Sequence, residues 1–304
     1  MSERITPTML TSSTLNGLNA SLAALERTSD ELSSGKKILE PSDNPYGTSR
    51  AIDLQSQLDG LSSYASNVQE GISWENTSSS AMANMSNVLE SVRELLVRAP
   101  NGTYNAGDLG HMAAEVEQLT EAVKQDANTQ YAGQYVFAGT MTTTAPYPQG
   151  AEDAYQGNTG TIARAIGPGL SVTVNTDMSA LLGNGQGAAD GKLFDTLRTI
   201  SEHLKGATPA DVAALGSSDL TSLEGSIEAL TQMQATAGSV TDQLQTAASR
   251  IEGLQGTITA GLSNIEDTNV AEVSIAYSTE QAAYEAALRA GASIVQESLL
   301  QFLN

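Results

Sequence analysis

The sequence predicts a mainly α protein with a small β-rich insertion. The expected architecture is an elongated, antiparallel, coiled-coil-like helical rod built from both chain termini, with the β domain at its far end. Three observations carry this reading. Apolar residues recur at three- and four-residue spacing on both sides of the middle of the chain, the rhythm that lines one face of an α-helix. From Gly133 to about Leu182 that rhythm lapses, and Gly, Pro, Asn and Thr separate short β-like pieces. Finally, the 304 residues are 40% hydrophobic but only 4% aromatic, a balance that suits helix–helix seams better than a thick globular core.

The first helix carries Leu15, Leu18, Leu22, Leu25 and Leu32 on a three-four heptad seam. Gly35 is placed to end it in a left-handed cap. Lys36 and Lys37 follow the carboxyl end, where positive charge is favourable. Leu39–Tyr46 reads as a turn, with Asn44 capping the next helix and Pro45 at its first position, where a missing N–H costs nothing.

That second helix is long. Ala51, Leu54, Leu58, Leu61, Ala65, Val68, Ile72, Met82, Leu89, Val92 and Leu96 keep the rhythm, with Glu75 and Ser79 as polar interruptions. About 50 residues at a 1.5 Å rise make a rod of about 75 Å. Pro100-Asn101-Gly102 breaks it, and a third helix runs through Leu109, Met112, Val116, Leu119, Val123 and Ala127. In the insertion, Tyr135–Phe137, Thr161–Ile166 and Leu170–Val174 are the expected strands, and Leu193, Leu197, Ile200 and Leu204 the face of a short closing helix.

After Gly206-Ala207-Thr208-Pro209 the seam returns through Leu220, Leu223, Ile227, Leu230, Leu244, Ile251, Ile258 and Leu262. Gly225, Gly238, Gly253, Gly256 and Gly261 interrupt it, each costing about 0.8–1.0 kcal/mol against Ala in a helix interior. Either they mark close helix contacts, or the helix becomes fully ordered only when neighbours pack on it. A break at Asn264–Thr268 precedes the final helix, with Asn269 as its cap and Val270, Val273, Tyr277, Tyr284, Leu288, Val295, Leu299 and Phe302 on its apolar face.

The expected divisions are therefore 1–45 (amino-terminal helix and turn), 46–133 (ascending arm), 134–210 (β-rich outer domain with a short helix), 211–264 (returning arm) and 265–304 (carboxyl-terminal helix). A single amphipathic helix is marginal alone and needs a partner. The seam of Leu15–Leu32 is the natural one for the final helix. Two helices cannot fully cover both stripes, so Leu15, Leu18, Leu22, Leu25, Leu32, Tyr277, Tyr284, Leu288, Val295, Leu299 and Phe302 are candidates for an assembly interface between subunits. Near the insertion an intramolecular coiled coil explains the seam better.

Composition limits the partners. A net charge of −21, with 14 Lys and Arg against 35 Asp and Glu, disfavours nucleic acid and anionic membranes. Without cysteine, disulfides and thiolate metal sites are excluded. No apolar run approaches the roughly 20 residues of a membrane span, and no secretory signal is visible near the start.

The turn and both arms resemble the bacterial flagellin-type family. Ser33-Ser34-Gly35-Lys36-Lys37-Ile38 and Pro41-Ser42-Asp43-Asn44-Pro45 are similar to its amino-terminal turn, in which Ser34, Gly35, Ser42, Asp43, Asn44 and Pro45 are of the conserved type. Arg4-Ile5-Thr6 resembles the family start. Asn67, Arg93–Ala99 and Asn101-Gly102-Thr103 resemble its long helix and break. Ile265-Glu266-Asp267, Ala271-Glu272 and Ser298–Leu303 resemble its last helix. Within the family, Ser-Asp-Asn-Pro in the turn, Tyr135-Val136-Phe137-Ala138-Gly139-Thr140 and the Ser-Leu-Leu-Gln-Phe-Leu ending are nearest to the hook-associated protein 3 branch, which sits at the hook–filament junction.

That resemblance implies a structural part of the bacterial flagellum, joining the hook, through the preceding hook-associated protein, to the flagellin filament and templating its assembly. It further implies a homo-oligomeric ring, flagellin as a partner, a cytoplasmic export chaperone, and the flagellar type III export apparatus. The address becomes extracellular, reached without a cleaved signal peptide. A flagellin forming the filament itself is the alternative. A surface adhesin using the few insertion aromatics (Tyr135, Phe137, Tyr147, Tyr155) is a further one.

The residues offer catalysis little support, so no enzyme activity, cofactor or metal is expected. His111 and His203 stand on predicted helices without a second His at metal spacing and read as solvated. Gly157–Gly160 and Gly167-Pro168-Gly169 read as turns, with no phosphate-loop Lys following. Lys36, Lys37 and Arg50 read as solvated charges, with intersubunit pairing as the alternative. Trp74 and Tyr64 read as packing residues.

Overall fold

The structure is a computed structural model that describes residues 7–101, 104–150 and 153–303; the side chains of residues 7, 8, 10 and 294–303 lie outside that description. The chain divides into two compact units, one formed by residues 1–60 and 254–304 and the other by 61–253.

The terminal unit is helical. Its helix α1, Pro7–Ser34, ends at Gly35 with φ +70°, the left-handed cap expected from the sequence, and the Gly35 N–H donates to the Glu31 carbonyl at 2.9 Å. Helix α2, Pro45–Arg98, begins in this unit where Asn44 Oδ1 accepts the Gly47 N–H at 2.9 Å. A Cβ at Gly47 would lie 2.6 Å from the Asn44 side chain, so the cap and the glycine require each other.

In the middle unit, helix α3, Ala106–Ala127, opens with a capping box in which Asn105 and Asp108 satisfy each other's backbone N–H. Strands β1, Gln130–Tyr131, and β2, Gln134–Tyr135, pair antiparallel. Ala132 and Gly133 join them with φ +49° and +80°, the doubly positive pattern of a tight hairpin turn. A separate hairpin follows: β3, Ala163–Gly167, and β4, Leu170–Thr173, with a register shift between Ala165 and Gly167. Gly169 (φ +68°) turns it.

Two expected strands therefore stand, shifted by a residue or two, and the third does not. Only Tyr135 of Tyr135–Phe137 pairs; Val136, Phe137 and Ala138 are fully buried. After one more bond across the hairpin, Val136 N–H to the Thr129 carbonyl at 3.1 Å, the chain enters the core.

The short helices are α4, Ser179–Leu182, α5, Leu193–Gly206, and α6, Pro209–Ala214. The face of α5 expected from the sequence, Leu193, Leu197, Ile200 and Leu204, is buried. A π-helical turn, Leu215–Asp219, leads into α7, Leu220–Glu266, and the last helix is α8, Val270–Leu303. Asn269 Oδ1 accepts the Ala271 N–H at 3.2 Å, as its capping role requires.

The core lies in the middle unit, where Met82, Met85 and Leu89 of α2 pack with Val116 and Val123 of α3, Phe194 of α5 and Leu223 and Leu244 of α7. Each such side chain stabilises the fold by about 1.5–3 kcal/mol on burial. Trp74 is buried and meets Tyr131 edge-on, with ring centroids 6.2 Å apart. Tyr64 packs half-buried against the same core. Both are packing residues.

The α7 glycines are not close-contact positions. An added Cβ at Gly225, Gly238, Gly253 or Gly256 would meet nothing within 4 Å among the described residues. At Gly261 it would lie at ordinary distance, 3.7 Å, from Leu54.

Candidate assembly surface

In the terminal unit α1 and α8 lie side by side, as their matching seams demand. They meet at a small residue: a Cβ on Gly291 would lie 3.3 Å from the Thr14 methyl. Beside it runs an apolar groove of about 440 Å³, lined by Thr11, Thr14, Leu15, Leu18, Leu288, Gly291 and Ala292.

The seam is only half covered. Leu15 is 56% exposed and Leu288 44%. Leu18, Leu22, Leu25, Leu32, Tyr277 and Tyr284 are each half-buried. Among the described side chains of this unit only Ala51, Leu54 and Val273 are buried apolar ones. Val270 and Ile275 add exposure on α8, at 57% and 70%. Side chains this apolar gain free energy whenever they leave water. The expected residues Val295, Leu299 and Phe302 fall outside the described side chains.

The turn after α1 clamps it to the junction between α7 and α8. Lys37 N–H donates to the Glu266 carbonyl at 2.7 Å, and Thr268 N–H donates to the Gly35 carbonyl at 2.9 Å. Lys36 Nζ reaches Glu266 Oε2 at 2.6 Å, and this hydrogen bond raises the lysine pKa above its ordinary value. Lys37 Nζ donates to the Asn264 carbonyl at 2.7 Å. Both lysines thus have partners within the chain, where the sequence suggested solvated charges. The contact follows from long-range pairing that spacing does not encode.

Within the turn, Asp43 Oδ2 accepts the N–H groups of Glu40 and Leu39 at 3.0 and 3.1 Å, and Arg27 lies 3.2 Å from Oδ1. Those two backbone bonds hold the Asp43 carboxyl below its ordinary range, with Arg27 adding to them. Ser42 Oγ donates to Glu40 at 3.1 Å, and Ser34 Oγ donates to the Asp30 carbonyl at 2.7 Å. The turn residues singled out in the sequence therefore act as an internal scaffold for α1.

The middle unit places the other candidates. Phe137 and Tyr147 are fully buried, Tyr135 and Tyr155 half-buried. The Tyr155 hydroxyl donates to the Phe137 carbonyl, and burial pushes its pKa up to about 12. The rings of Phe137 and Tyr147 belong to the core, and Tyr155 packs against it. His203 is not solvated as expected: its Nδ1 lies 2.6 Å from Oδ2 of the buried Asp219. His111 is exposed. Among the described residues no group of three or more His, Asp or Glu could hold a metal ion, and no helix is long and apolar enough to cross a membrane.

Comparisons with known proteins bear on the family and the fold. The profile of the bacterial flagellin N-terminal helical region matches residues 5–142, and that of the C-terminal helical region matches residues 220–303. A flagellin of Salmonella muenchen is 34% identical over 145 residues, which is 47% of this chain and 29% of that protein. The matched stretch thus spans less than a third of that relative. A Vibrio parahaemolyticus structure described as a flagellar hook-associated protein superposes with a TM-score of 0.67 at 16% identity, covering 74% of this chain and all of the other. The flagellar hook-associated protein-3 of Legionella pneumophila gives 0.60 at 14% identity, covering 70% and 98%. At such identities these structures share the fold. With the two profiles on its two helical arms, and well over half its length between them, the chain belongs to the bacterial flagellin family.

Proposed function

We propose that the chain is a structural, non-enzymatic part of the bacterial flagellum that stands at the hook–filament junction. It would form a ring on the preceding hook-associated protein and template flagellin assembly. The observation that carries this reading is the half-covered seam of α1 and α8: apolar side chains from both ends of the chain face a groove that one subunit does not close. The solved structures of similar fold, described as flagellar hook-associated proteins, support the junction over the filament.

In this reading residues 1–45 and 265–304 polymerise, 46–133 and 211–264 form the arms, and 134–210 faces outward. The chain would leave the cell through the flagellar export apparatus, held by a cytoplasmic chaperone, and act outside. Deleting the gene is the direct test. Hooks without filaments, with flagellin lost to the medium, support the junction; normal filaments overturn it.

A flagellin that forms the filament is the second reading, favoured by the sequence relatives, which are flagellins. Purified protein added to filament fragments separates the two. A flagellin extends the fragments into long polymers, and a junction protein does not.

A further inference from the structure

Lys124 has no exposed side chain, and Asp153 is 2% exposed. The lysine Nζ lies 2.8 Å from Asp153 Oδ2, yet that oxygen accepts no hydrogen bond from the described residues: the amine stands close to the carboxyl group but off the hydrogen-bonding direction. The other oxygen is held separately, with Oδ1 accepting the Gln186 N–H at 2.9 Å. Gly185, at φ +105°, permits this approach, because a Cβ there would lie 2.6 Å from Oδ1. Two acceptors hold the amine: the Gly150 carbonyl takes a hydrogen bond from Nζ at 2.8 Å, and Glu121 takes another. Glu121 Oε1 lies 2.8 Å from Nζ, and its Oε2 accepts the Gly150 N–H at 3.3 Å. The Phe194 ring, 5.9 Å from Nζ and stacked edge-on with Tyr147, walls the site.

We propose that Lys124 and Asp153 condense to an intramolecular isopeptide bond, with Glu121 as the proton carrier. Taking two charges out of water costs several kcal/mol per ion, and the amide that replaces them is neutral. The ammonium gives one proton to Glu121 and the carboxylate takes up one, leaving amine and acid. Nζ then attacks Cγ; the Nζ–Cγ bond forms and charge develops on Oδ1, where the Gln186 N–H stabilises it as a fixed donor. Nζ releases a second proton by way of Glu121 to Oδ2, the Cγ–Oδ2 bond breaks, and water leaves. One positive and one negative charge disappear together, so net charge is unchanged and no oxidant or co-reactant is required. Glu121, 41% exposed, can exchange its proton with solvent. The product closes the chain covalently between α3 and the loop before β3.

The test is the mass of the purified full chain after denaturation. The expected result is a chain lighter by one water, and a digest containing one branched peptide that joins the segments around 124 and 153. Glu121→Gln is expected to fold with the ion pair intact and to keep its full mass. Folded wild-type protein at full mass overturns the proposal. So does a water loss confined to the peptide containing Asp153-Ala154, which marks a cyclic imide instead. A link that survives Glu121→Gln overturns the role of that carboxylate.

Discussion

The Lys36 ammonium and the Glu266 carboxylate lie 2.6 Å apart across 230 residues of sequence. They mark the place where the chain, having left α1, is held against the end of α7, just before its last helix. Both are partly exposed, so the ion pair itself contributes only about 0–1 kcal/mol. The paired backbone bonds beside it, Lys37 to Glu266 and Thr268 to Gly35, have no such dependence on salt.

Gly35→Ala is expected to weaken this clamp more than Lys36→Ala. Its φ of +70° costs an L-residue about 1–2 kcal/mol, and no neighbour lies within 4 Å to add a steric effect. Faster hydrogen exchange at the Lys37 and Thr268 amides checks this; unchanged exchange in Gly35→Ala refutes it.

Leu15→Asp and Leu288→Asp separate folding from assembly. Both side chains are already substantially exposed, so the monomer should change by no more than about 0.5 kcal/mol in a denaturant titration. Assembly, scored by filament growth in cells carrying the variant, should fall sharply. Wild-type growth from both variants would remove the seam from the interface.

Glu75 makes stability depend on pH. It is buried on α2, and desolvation raises its pKa from 4.5 to about 7. The folded state therefore holds the proton more tightly than the unfolded one, so its stabilising effect is full below pH 4.5 and is lost as pH rises to about 7. The difference amounts to about 3 kcal/mol. Glu75→Gln should flatten that part of the stability profile, measured by urea unfolding between pH 4.5 and 8. A slope unchanged by the substitution would place the titration elsewhere.

The pair between His203 and Asp219 links α5 to the π-helical turn. His203→Ala leaves the buried Asp219 carboxylate without its ring partner, which should cost about 1–3 kcal/mol. His203→Asn, able to donate from its amide, should recover part of that loss. Equal stability of the two variants would show that the ring only fills space.

The helices were legible because their signals are local. The seams of Leu15–Leu32 and Leu193–Leu204, the left-handed Gly35 and the Asn44-Pro45 cap each depend on residues within a few turns. The β1–β2 hairpin was missed because its strands are two residues long, too short for alternation to register, although Ala132-Gly133 carries the turn. The partners of Lys36, Lys37 and His203 were misread for a different reason. A charged side chain has the same local signature in solvent as in a salt bridge.

What the sequence by itself determined is where helices start, stop and turn their apolar faces, and hence that both chain ends carry half of a seam. Only the tertiary structure decided how much of that seam one chain covers, and which charges lie inside. Lys124 reads as one more polar position on α3 until Gly150 and Asp153 return to it across 26 and 29 residues of sequence. Periodicity is a property of neighbours along the chain. Burial of a charge depends on which distant elements close over it.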